Sequence, residues 1–509
     1  MEALDWLVIG VFFLALIGII VWVVRHKQND SADYFLGGRD ATWLAIGASI
    51  FASNIGSEHL IGLAGAGASS GMAMAHWEIQ GWMILILGWV FVPFYTRSMV
   101  YTMPEFLERR YNPQSRTILS VISLVSYVLT KVAVTVYAGG LVFKQVFGFK
   151  ELGGWDEMMR VCGAVTVNDY GDTMTNLIRS NDDANFPWLG ALIGSAIIGF
   201  WYWCTDQFIV QRVLSGKNEM EARRGTIFGA YLKLLPVFLF LIPGMIAFAL
   251  HQKYIGAGGE GFLPMLANGT ANADAAFPTL VAKLLPAGVK GLVVCGILAA
   301  LMSSLASLFN SSAMLFTIDF YKRFKPETPE KKLVGIGQIA TIVIVVLGIL
   351  WIPIMRSVGD VLYTYLQDVQ SVLAPGIAAA FLLGICWKRT SAQGGMWGLI
   401  SGMVIGLTRL GAKVYYSNAG EVADSTFKYL FYDMNWLFFC GWMFLFCIIV
   451  VIVVSLATEA PTAEKIQGLV FGTATKEQKA ATRASWNHWD IIHTVIILAI
   501  TAAFYWYFW

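Results

Sequence analysis

Two adjacent hydroxyls, Ser303 and Ser304, lie inside an apolar stretch and are suited in type and spacing to hold a hard cation. Ser307 follows one helical turn later. Serines in membrane helices most often bond back to the carbonyls of their own helix. They can also complete an oxygen shell for Na⁺ if a broken helix lies opposite and offers its backbone carbonyls. The serines alone leave both interpretations open.

The segment that could offer those carbonyls is SIFASNIGSEH, residues 49–59. It interrupts an apolar stretch, 41–67, which is long enough to cross a bilayer. Irregular backbone within hydrocarbon persists only around a cavity or a bound ion, because unpaired backbone groups are costly there. We therefore expect a break near residues 52–56. The alternative is a helix rich in small residues that packs tightly against its neighbours.

Polar and aromatic side chains in other apolar stretches are suited to bind a solute with many hydroxyls. Ionisable residues within membrane spans are costly and mark function by default. A sugar needs amides, carboxylates and amines for its hydroxyls, and aromatic faces for its C–H surface. The first kind is supplied by Asn54, His59, Glu78, Lys233 and Gln367, and the second by Trp77, Tyr202, Trp203 and Tyr363. The alternative is that the charged members only pair with one another.

The composition predicts an all-α polytopic membrane protein. Of the 509 residues, 57% are apolar and only 13% are charged, against about 25% charged in soluble proteins. The net charge of +2 gives no reason to expect nucleic acid as a partner. No nucleophile–base pair, phosphate loop or metal cluster is recognisable, so we expect no enzymatic activity.

About twelve apolar stretches are candidate membrane spans. Lysines and arginines concentrate in every second loop, which by the positive-inside rule places both termini outside. Residues 148–187 are expected to form an external loop and 457–488 an inner linker within one transmembrane domain, 1–509. The candidate spans are 5–24, 41–67, 74–96, 117–147, 188–210, 226–250, 285–318, 334–355, 361–386, 395–412, 430–456 and 489–509.

Motifs spread over nearly the whole chain carry a resemblance to a known family. They are DYFLGGR (33–39), GASIFASNIGSEHLIGLAGAGA (47–68), MPEFLERRY (103–111), WYWCTDQFIVQRVLSGKN (201–218), YLKLLP (231–236), LMSSLASLFNSSAMLFTIDFY (301–321) and APGIAAAFLLGICWKR (374–389). On these residues the chain resembles the sodium/solute symporter family, and within it the sodium/glucose cotransporters of animals and their bacterial galactose-transporting relatives.

The resemblance implies a leucine-transporter-type fold, a five-plus-five inverted repeat with peripheral helices. It implies Na⁺ as the co-transported ion and assigns roles to matching residues. The Na⁺ ligands would be Ala52, Ile55, Ala300, Ser303 and Ser304; the solute ligands Asn54, His59, Glu78, Lys233, Gln367 and Trp203; and the gates Leu63, Trp77, Tyr202 and Tyr363. Gly199 stands where the family has Asn or Thr, which removes one polar contact.

One departure from the family pattern is large. After the fourth span, residues 140–149 run directly into the external segment 150–159, where the family continues through two more core helices. An even number of missing spans preserves the orientation of everything downstream. The expected fold therefore lacks the fourth and fifth core helices of the first repeat.

These observations predict sodium-coupled symport of a hexose, glucose or galactose, across the plasma membrane by alternating access. One alternative is a symporter for myo-inositol or another polyol, since such sites differ by a few hydroxyl contacts. The other is a sugar sensor or a homologue that does not transport, because two core helices are missing. The expected partners are a sugar, Na⁺ and the lipid bilayer; the sequence makes no prediction of the oligomeric state.

Overall fold

The structure, a computed structural model, describes residues 2–25, 36–56, 58–127, 155–266, 269–356, 362–418 and 423–509. Within these ranges the regular secondary structure is helical, and β-type pairing is limited to three isolated bridges. Residues 128–147 of the predicted fourth span, and the junction at which two core helices were expected to be missing, lie outside the described residues.

Helices of the first half are short and repeatedly interrupted. They are α1 (Ala3–Arg25), α2 (Trp43–Asn54), α3 (Ala64–Ser70), α4 (Ala75–Glu78), α5 (Gly81–Ile86), α6 (Val92–Ser98), α7 (Met103–Arg110), α8 (Pro113–Tyr127), α9 (Trp155–Gly163), α10 (Trp188–Gly199), α11 (Gln207–Leu214), α12 (Glu219–Leu232) and α13 (Ile242–Gly256). Wider π-helical segments lie at Glu58–Leu63, Leu87–Phe91, Phe200–Thr205 and Val237–Leu241, and 3₁₀ turns at Gly37–Arg39 and Gly71–Met74.

Helices of the second half are mostly longer. They are α14 (Ala276–Leu284), α15 (Val289–Met314), α16 (Lys322–Phe324), α17 (Glu330–Arg356), α18 (Leu362–Cys386), α19 (Ala392–Asn418), α20 (Thr426–Lys428), α21 (Trp436–Ala457), α22 (Ala463–Ile466), α23 (Lys476–Ala484) and α24 (His488–Tyr507). Here the π-helical segments are Leu315–Tyr321 and Tyr429–Asp433, and a 3₁₀ turn covers Ala273–Ala275.

Nine helical stretches of the described chain are long and apolar enough to cross a bilayer. The sequence predicted about twelve, and the second, fourth and tenth predicted spans account for the difference. The second predicted span is broken, and its second part continues into the third as one helical stretch, Glu58–Ser98. The first part, α2, is shorter than a full span. The fourth lies partly outside the described residues, and the tenth corresponds to α19, which is long enough but is not among the nine apolar stretches.

Small residues set the position of α2 within the bundle. It packs closely along α12 and also contacts α11 and α15. A Cβ added at Gly47 would lie 2.8 Å from the Gly225 carbonyl oxygen, and one at Gly225 would lie 2.6 Å from Ile46. Two facing glycines therefore let the backbones of α2 and α12 approach each other, as is common between membrane helices. This contact places the C-terminal end of α2 beside α15.

Candidate functional site

The predicted break after α2 is present. The last helical bond runs from the Ile55 amide to the Phe51 carbonyl at 2.9 Å. Ile55 is extended, with φ −81° and ψ 110°. The helix resumes at Glu58 as a π-helical segment whose first turn bonds the amides of His59 and Leu60 to the Gly56 carbonyl. Carbonyls at the end of α2 therefore lack the continuing helix that would otherwise satisfy them.

The serines of α15 lie against this break. The Ser304 hydroxyl is 2.9 Å from the Ile55 carbonyl oxygen and 3.2 Å from that of Ser53. One turn on, the Ser307 and Ser53 hydroxyls are 2.8 Å apart. A hydroxyl has one proton to donate and keeps its lone pairs. The Ser304 hydroxyl thus donates its proton to the carbonyls at the end of α2, and its oxygen keeps lone pairs that can bind a cation.

The other residues predicted to bind Na⁺ are less enclosed. Ala52 is exposed, and Ala300 and Ser303 are half-buried. The Ser304 hydroxyl reaches the carbonyl of Ser53 where the prediction named Ala52 beside Ile55. The structure therefore brings Ile55 and Ser304 into contact, whereas Ala52, Ala300 and Ser303 are more exposed positions of the same two helices.

A narrow cavity of about 40 Å³ lies beside the break. Its volume is far below the roughly 300–1,000 Å³ of pockets that hold drug-sized ligands, so a solute requires the walls to move apart. Five of the six predicted solute ligands line it: Asn54, His59, Trp203, Lys233 and Gln367. The other lining residues are Glu58, Trp77, Gln80, Ile198, Gly199, Tyr202, Leu366 and Gln370.

Glu78, the sixth predicted ligand, pairs with two residues of the lining. Its Oε2 lies 2.6 Å from Lys233 Nζ, and its Oε1 lies 3.6 Å from His59 Nε2. Glu78 is 0% exposed and the Lys233 side chain only 4% exposed. The charged residues therefore pair with one another, which was the alternative to solute binding. Two of them, Lys233 and His59, also line the cavity, so the two interpretations do not exclude each other.

Interruptions in two helical segments position Lys233, Tyr202 and Trp203 in the cavity wall. Pro236 has no amide hydrogen and its ring conflicts with the carbonyl four residues earlier, so α12 ends at Leu232 and Lys233 caps it. The segment Phe200–Thr205 is π-helical and places both Tyr202 and Trp203 in the cavity wall. Such segments are frequent at functional sites. The Lys233 ammonium lies 5.3 Å from the centre of the Trp203 ring.

Of the predicted gate residues, two line the cavity. Tyr202 donates a hydrogen bond of 3.1 Å to Asn54 Oδ1. Trp77 stacks on Trp436 with 5.4 Å between ring centres. Leu63 is fully buried in the π-helical segment after the break and is not part of the cavity wall. Tyr363 belongs to α18, but its side chain lies outside the described residues.

Sequence reasoning missed two amides of the lining and assigned no role to one carboxylate. Gln80 donates to the Ser195 carbonyl at 2.8 Å and accepts from the Trp203 indole at 3.3 Å. Gln370 lies one turn beyond Gln367 on α18 and is 4% exposed. Glu58 is an ionisable residue within the predicted span 41–67, but nothing in the sequence indicated where its carboxylate points. Spacing on α18 could have identified Gln370.

Gly199 and Gln80 share one space in the cavity wall. A Cβ added at Gly199 would lie 2.5 Å from Gln80 Oε1 and 2.9 Å from its Cδ. The side chain of Gln80 therefore fills the volume that a larger residue at position 199 would take. The family resemblance implied that Gly199 removes one polar contact. The carboxamide of Gln80 occupies that space, so the cavity wall keeps a polar group there.

Comparisons with known proteins agree with this architecture. Residues 34–150 and 145–402 match the family model described as the sodium:solute symporter family. Human sodium/myo-inositol cotransporter 2 is 34% identical over 535 residues, covering 93% of this chain and 79% of the relative. Rat sodium/glucose cotransporter 2 is 34% identical over 537 residues, covering 92% and 80%. A solved substrate-bound, outward-open Na⁺-coupled sialic acid symporter has a TM-score of 0.67 at 20% identity, covering 91% of this chain and 99% of that one.

Proposed function

We propose a substrate and a mechanism from one premise: this chain belongs to the sodium:solute symporter family. It is a multi-pass membrane transporter of the leucine-transporter-type fold, with Na⁺ as its co-transported ion and a small solute as its cargo, and it is not an enzyme. We further propose that 1–509 is one transmembrane domain in the plasma membrane, with 148–187 outside, 457–488 inside and both termini outside.

The proposed Na⁺ site lies between the break after α2 and the serines of α15. Its ligands would be the carbonyls of Ala52, Ile55 and Ala300 with the hydroxyls of Ser303 and Ser304. The contact between Ser304 and the Ile55 carbonyl supports this assignment, because it brings two oxygen atoms of the proposed set to hydrogen-bond distance. A cation there would replace the serine's proton in holding the end of α2 against α15.

The proposed solute is a neutral ring that carries several hydroxyls, first of all glucose or galactose. Two unpaired polar atoms of the described chain carry this proposal: the Gln367 amide oxygen and the Trp77 indole nitrogen are buried without hydrogen-bond partners. Buried polar atoms of this kind are costly unless a ligand satisfies them. A hydroxyl both donates and accepts, so one ring can satisfy both atoms.

The charges of the cavity favour a neutral solute over an acidic one. Lys233 is already bound to the Glu78 carboxylate at 2.6 Å. An acidic solute would compete with that carboxylate for the same ammonium in a water-poor site. The remaining proposed ligands, Asn54, His59, Gln367 and Trp203, suit hydroxyl and C–H surfaces.

Myo-inositol is the second candidate within transport. It is also a neutral ring of hydroxyls, and the relatives above include a myo-inositol cotransporter as well as a glucose cotransporter, at equal identity. The two solutes differ by few contacts, which the described residues do not distinguish. The concentration of unlabelled myo-inositol that halves the uptake of labelled glucose measures the relative affinity for the two solutes.

Alternating access would proceed through the aromatic residues of the wall. Na⁺ first holds the outward-open state, the solute binds, and Trp77 with Leu63 and Tyr363 closes the outer side. Movement of Tyr202 away from Asn54 then opens the inner side and releases both cargoes. Each positive charge that moves inward gains about 2.3 kcal/mol per 100 mV of membrane potential.

A homologue that senses sugar without transporting it is the third candidate. The family model matches this chain in two pieces that meet at residues 145–150. We place the loss of two core helices at this junction. Because those helices belong to the first repeat, their loss bears directly on whether the carrier can complete its cycle.

Uptake into proteoliposomes that contain this chain tests the proposal. An inward Na⁺ gradient should drive accumulation of labelled glucose, a K⁺ gradient of equal size should not, and excess myo-inositol should compete to the extent that it is a substrate. Solute binding without accumulation would support the sensor. Neither binding nor accumulation of glucose or myo-inositol would contradict both proposed solutes.

A further inference from the structure

Glu58 is the first residue after the described break, and one of its carboxylate oxygens has no visible partner. The side chain is 5% exposed, and within the described chain Oε2 makes no hydrogen bond. Burying a charged oxygen without a partner is costly. Its place in the first turn of a helical segment favours a negative charge, but it does not satisfy Oε2. This atom is therefore available to a ligand.

The unpaired oxygen points toward the cation site. A Cβ added at Gly56 would overlap Glu58 Oε2 and would also lie 2.7 Å from Ser304 Oγ. Both oxygens therefore surround the same small space beside Gly56. Ser304 in turn contacts the carbonyls of Ser53 and Ile55. Carboxylate, hydroxyl and carbonyl oxygens thus converge at the break, and such oxygens are the ligands that hard cations prefer.

The neighbouring charges leave Glu58 without a cation of its own. Lys233 binds Glu78 at 2.6 Å, and His59 lies 3.6 Å from the other oxygen of Glu78. None of the ion pairs in the described part of the chain involves Glu58. The charge balance of this region therefore has room for one additional positive charge.

Glu58 also lines the solute cavity, next to Asn54 and His59. Its side chain is thus shared by the cavity and by the space beside Ser304. From this geometry we propose that Glu58 is a carboxylate ligand of the transported Na⁺ and joins the cation site to the solute cavity. This inference rests on the proposed function, and it adds a charged ligand to a site otherwise built from neutral oxygens.

Na⁺ binding without solute tests the proposal directly. The purified full-length protein is titrated with radioactive Na⁺ in a choline-based buffer. Glu58→Gln keeps the size and one oxygen of the side chain but removes its charge, and it should raise the half-saturating Na⁺ concentration about tenfold or more. Glu58→Asp keeps the charge and should lose less. Glu78→Gln changes a second buried carboxylate, which pairs with Lys233, so it should impair solute binding and raise the half-saturating Na⁺ concentration less than Glu58→Gln does.

The outcomes separate this inference from the function on which it rests. Unchanged Na⁺ binding in Glu58→Gln, with wild-type binding intact, would overturn the Glu58 assignment alone. A variant that loses only solute affinity would make Glu58 a solute ligand and also overturn the assignment. Wild-type protein that neither binds Na⁺ nor shows Na⁺-driven uptake would overturn both.

A measurement on the wild-type chain covers the case in which the variants do not fold. A hydrophobic carbodiimide modifies buried carboxyl groups, and peptide mass spectrometry locates the modified residue. Na⁺ at saturating concentration should protect Glu58 from modification several-fold more than choline does. Equal modification in both salts would overturn the proposal.

Discussion

Two buried carboxylates, one that lines the cavity and one that pairs with residues lining it, have opposite surroundings. Glu78 is bound by Lys233 at 2.6 Å and lies 3.6 Å from His59. Glu58 has an oxygen without a partner among the described residues and lies beside the open end of α2. The Glu78 carboxylate is paired by groups of the protein itself. The unpaired oxygen of Glu58 would gain a partner when the proposed cation binds.

This difference separates the tasks of the two regions. A satisfied ion pair gives the cavity fixed donors and acceptors for a neutral solute without net charge. An unsatisfied carboxylate beside the carbonyls at the end of α2 favours a cation over an empty site, because desolvated oxygen atoms gain strongly from a positive charge. We therefore expect variants at the break to change Na⁺ dependence, and variants at the ion pair to change stability and solute affinity.

The largest effect is expected from Gly56→Ala. The added methyl group would overlap Glu58 Oε2 and lie 2.7 Å from Ser304 Oγ, so it takes the space proposed for the cation. Na⁺-driven uptake in proteoliposomes should fall below detection. Gly296→Ala is the matched control on α15, because a Cβ there has no heavy atom within 4 Å. Normal uptake by Gly56→Ala would rule out this space as the cation site.

Lys233→Gln should be the next most damaging change. It leaves the Glu78 carboxylate, 0% exposed, without its 2.6 Å partner, and breaking a buried pair in this way costs about 3–5 kcal/mol. Thermal unfolding followed by tryptophan fluorescence should shift to lower temperature, and solute affinity should fall. The double variant Glu78→Gln/Lys233→Gln should regain most of the thermal stability but not the affinity. An unshifted melting curve for Lys233→Gln would show that the pair is not buried as described.

Ser304→Ala should raise the half-saturating Na⁺ concentration about five- to tenfold, as expected for the loss of about one hydrogen-bonding contact. It removes the hydroxyl that reaches the carbonyls of Ser53 and Ile55. The readout is the Na⁺ dependence of uptake at saturating solute. Ser311→Ala is the control two turns along α15, where the hydroxyl bonds Gln211 at 2.8 Å. Equal Na⁺ dependence in the two variants would count against the Ser304 site.

The smallest effect is expected from Gly199→Thr. Its Cβ would meet Gln80 Oε1 at 2.5 Å, so the carboxamide must move and release the Trp203 indole. The solute half-saturation should rise about three- to fivefold, with Na⁺ dependence unchanged. Adding Gln80→Asn, which shortens the amide, should recover part of the loss. A change confined to Na⁺ dependence would contradict the separation of the two regions.

Much of this organisation could be predicted from the sequence because it rests on short-range chemistry. Small and polar residues within an apolar stretch indicated the break, and it occurs between Asn54 and Glu58. The adjacent serines indicated a surface opposite that break, and Ser304 contacts it. Pro236 explains the end of α12 from local backbone geometry alone.

The direction of individual side chains could not be predicted in the same way. Which carbonyls Ser304 reaches depends on how the chain turns at the end of α2, and the Ser304 hydroxyl contacts Ser53 where the family resemblance implied Ala52. The place of Gln80 depends on a space left by Gly199, more than one hundred positions away in the chain. The role proposed for Glu58 depends on three segments converging at one point. Such contacts arise from packing between segments that are distant in the chain. The spacing of apolar and polar residues along one helix does not predict them.

An experimental density map of this chain in a bilayer mimetic, recorded once in Na⁺ and once in choline, tests the central claim most directly. We expect a Na⁺-dependent density feature at the break after α2, in contact with the Ile55 carbonyl, the Ser304 hydroxyl and the Glu58 carboxylate. Identical maps at this place in both salts, or a continuous helix through residues 52–58, would contradict it.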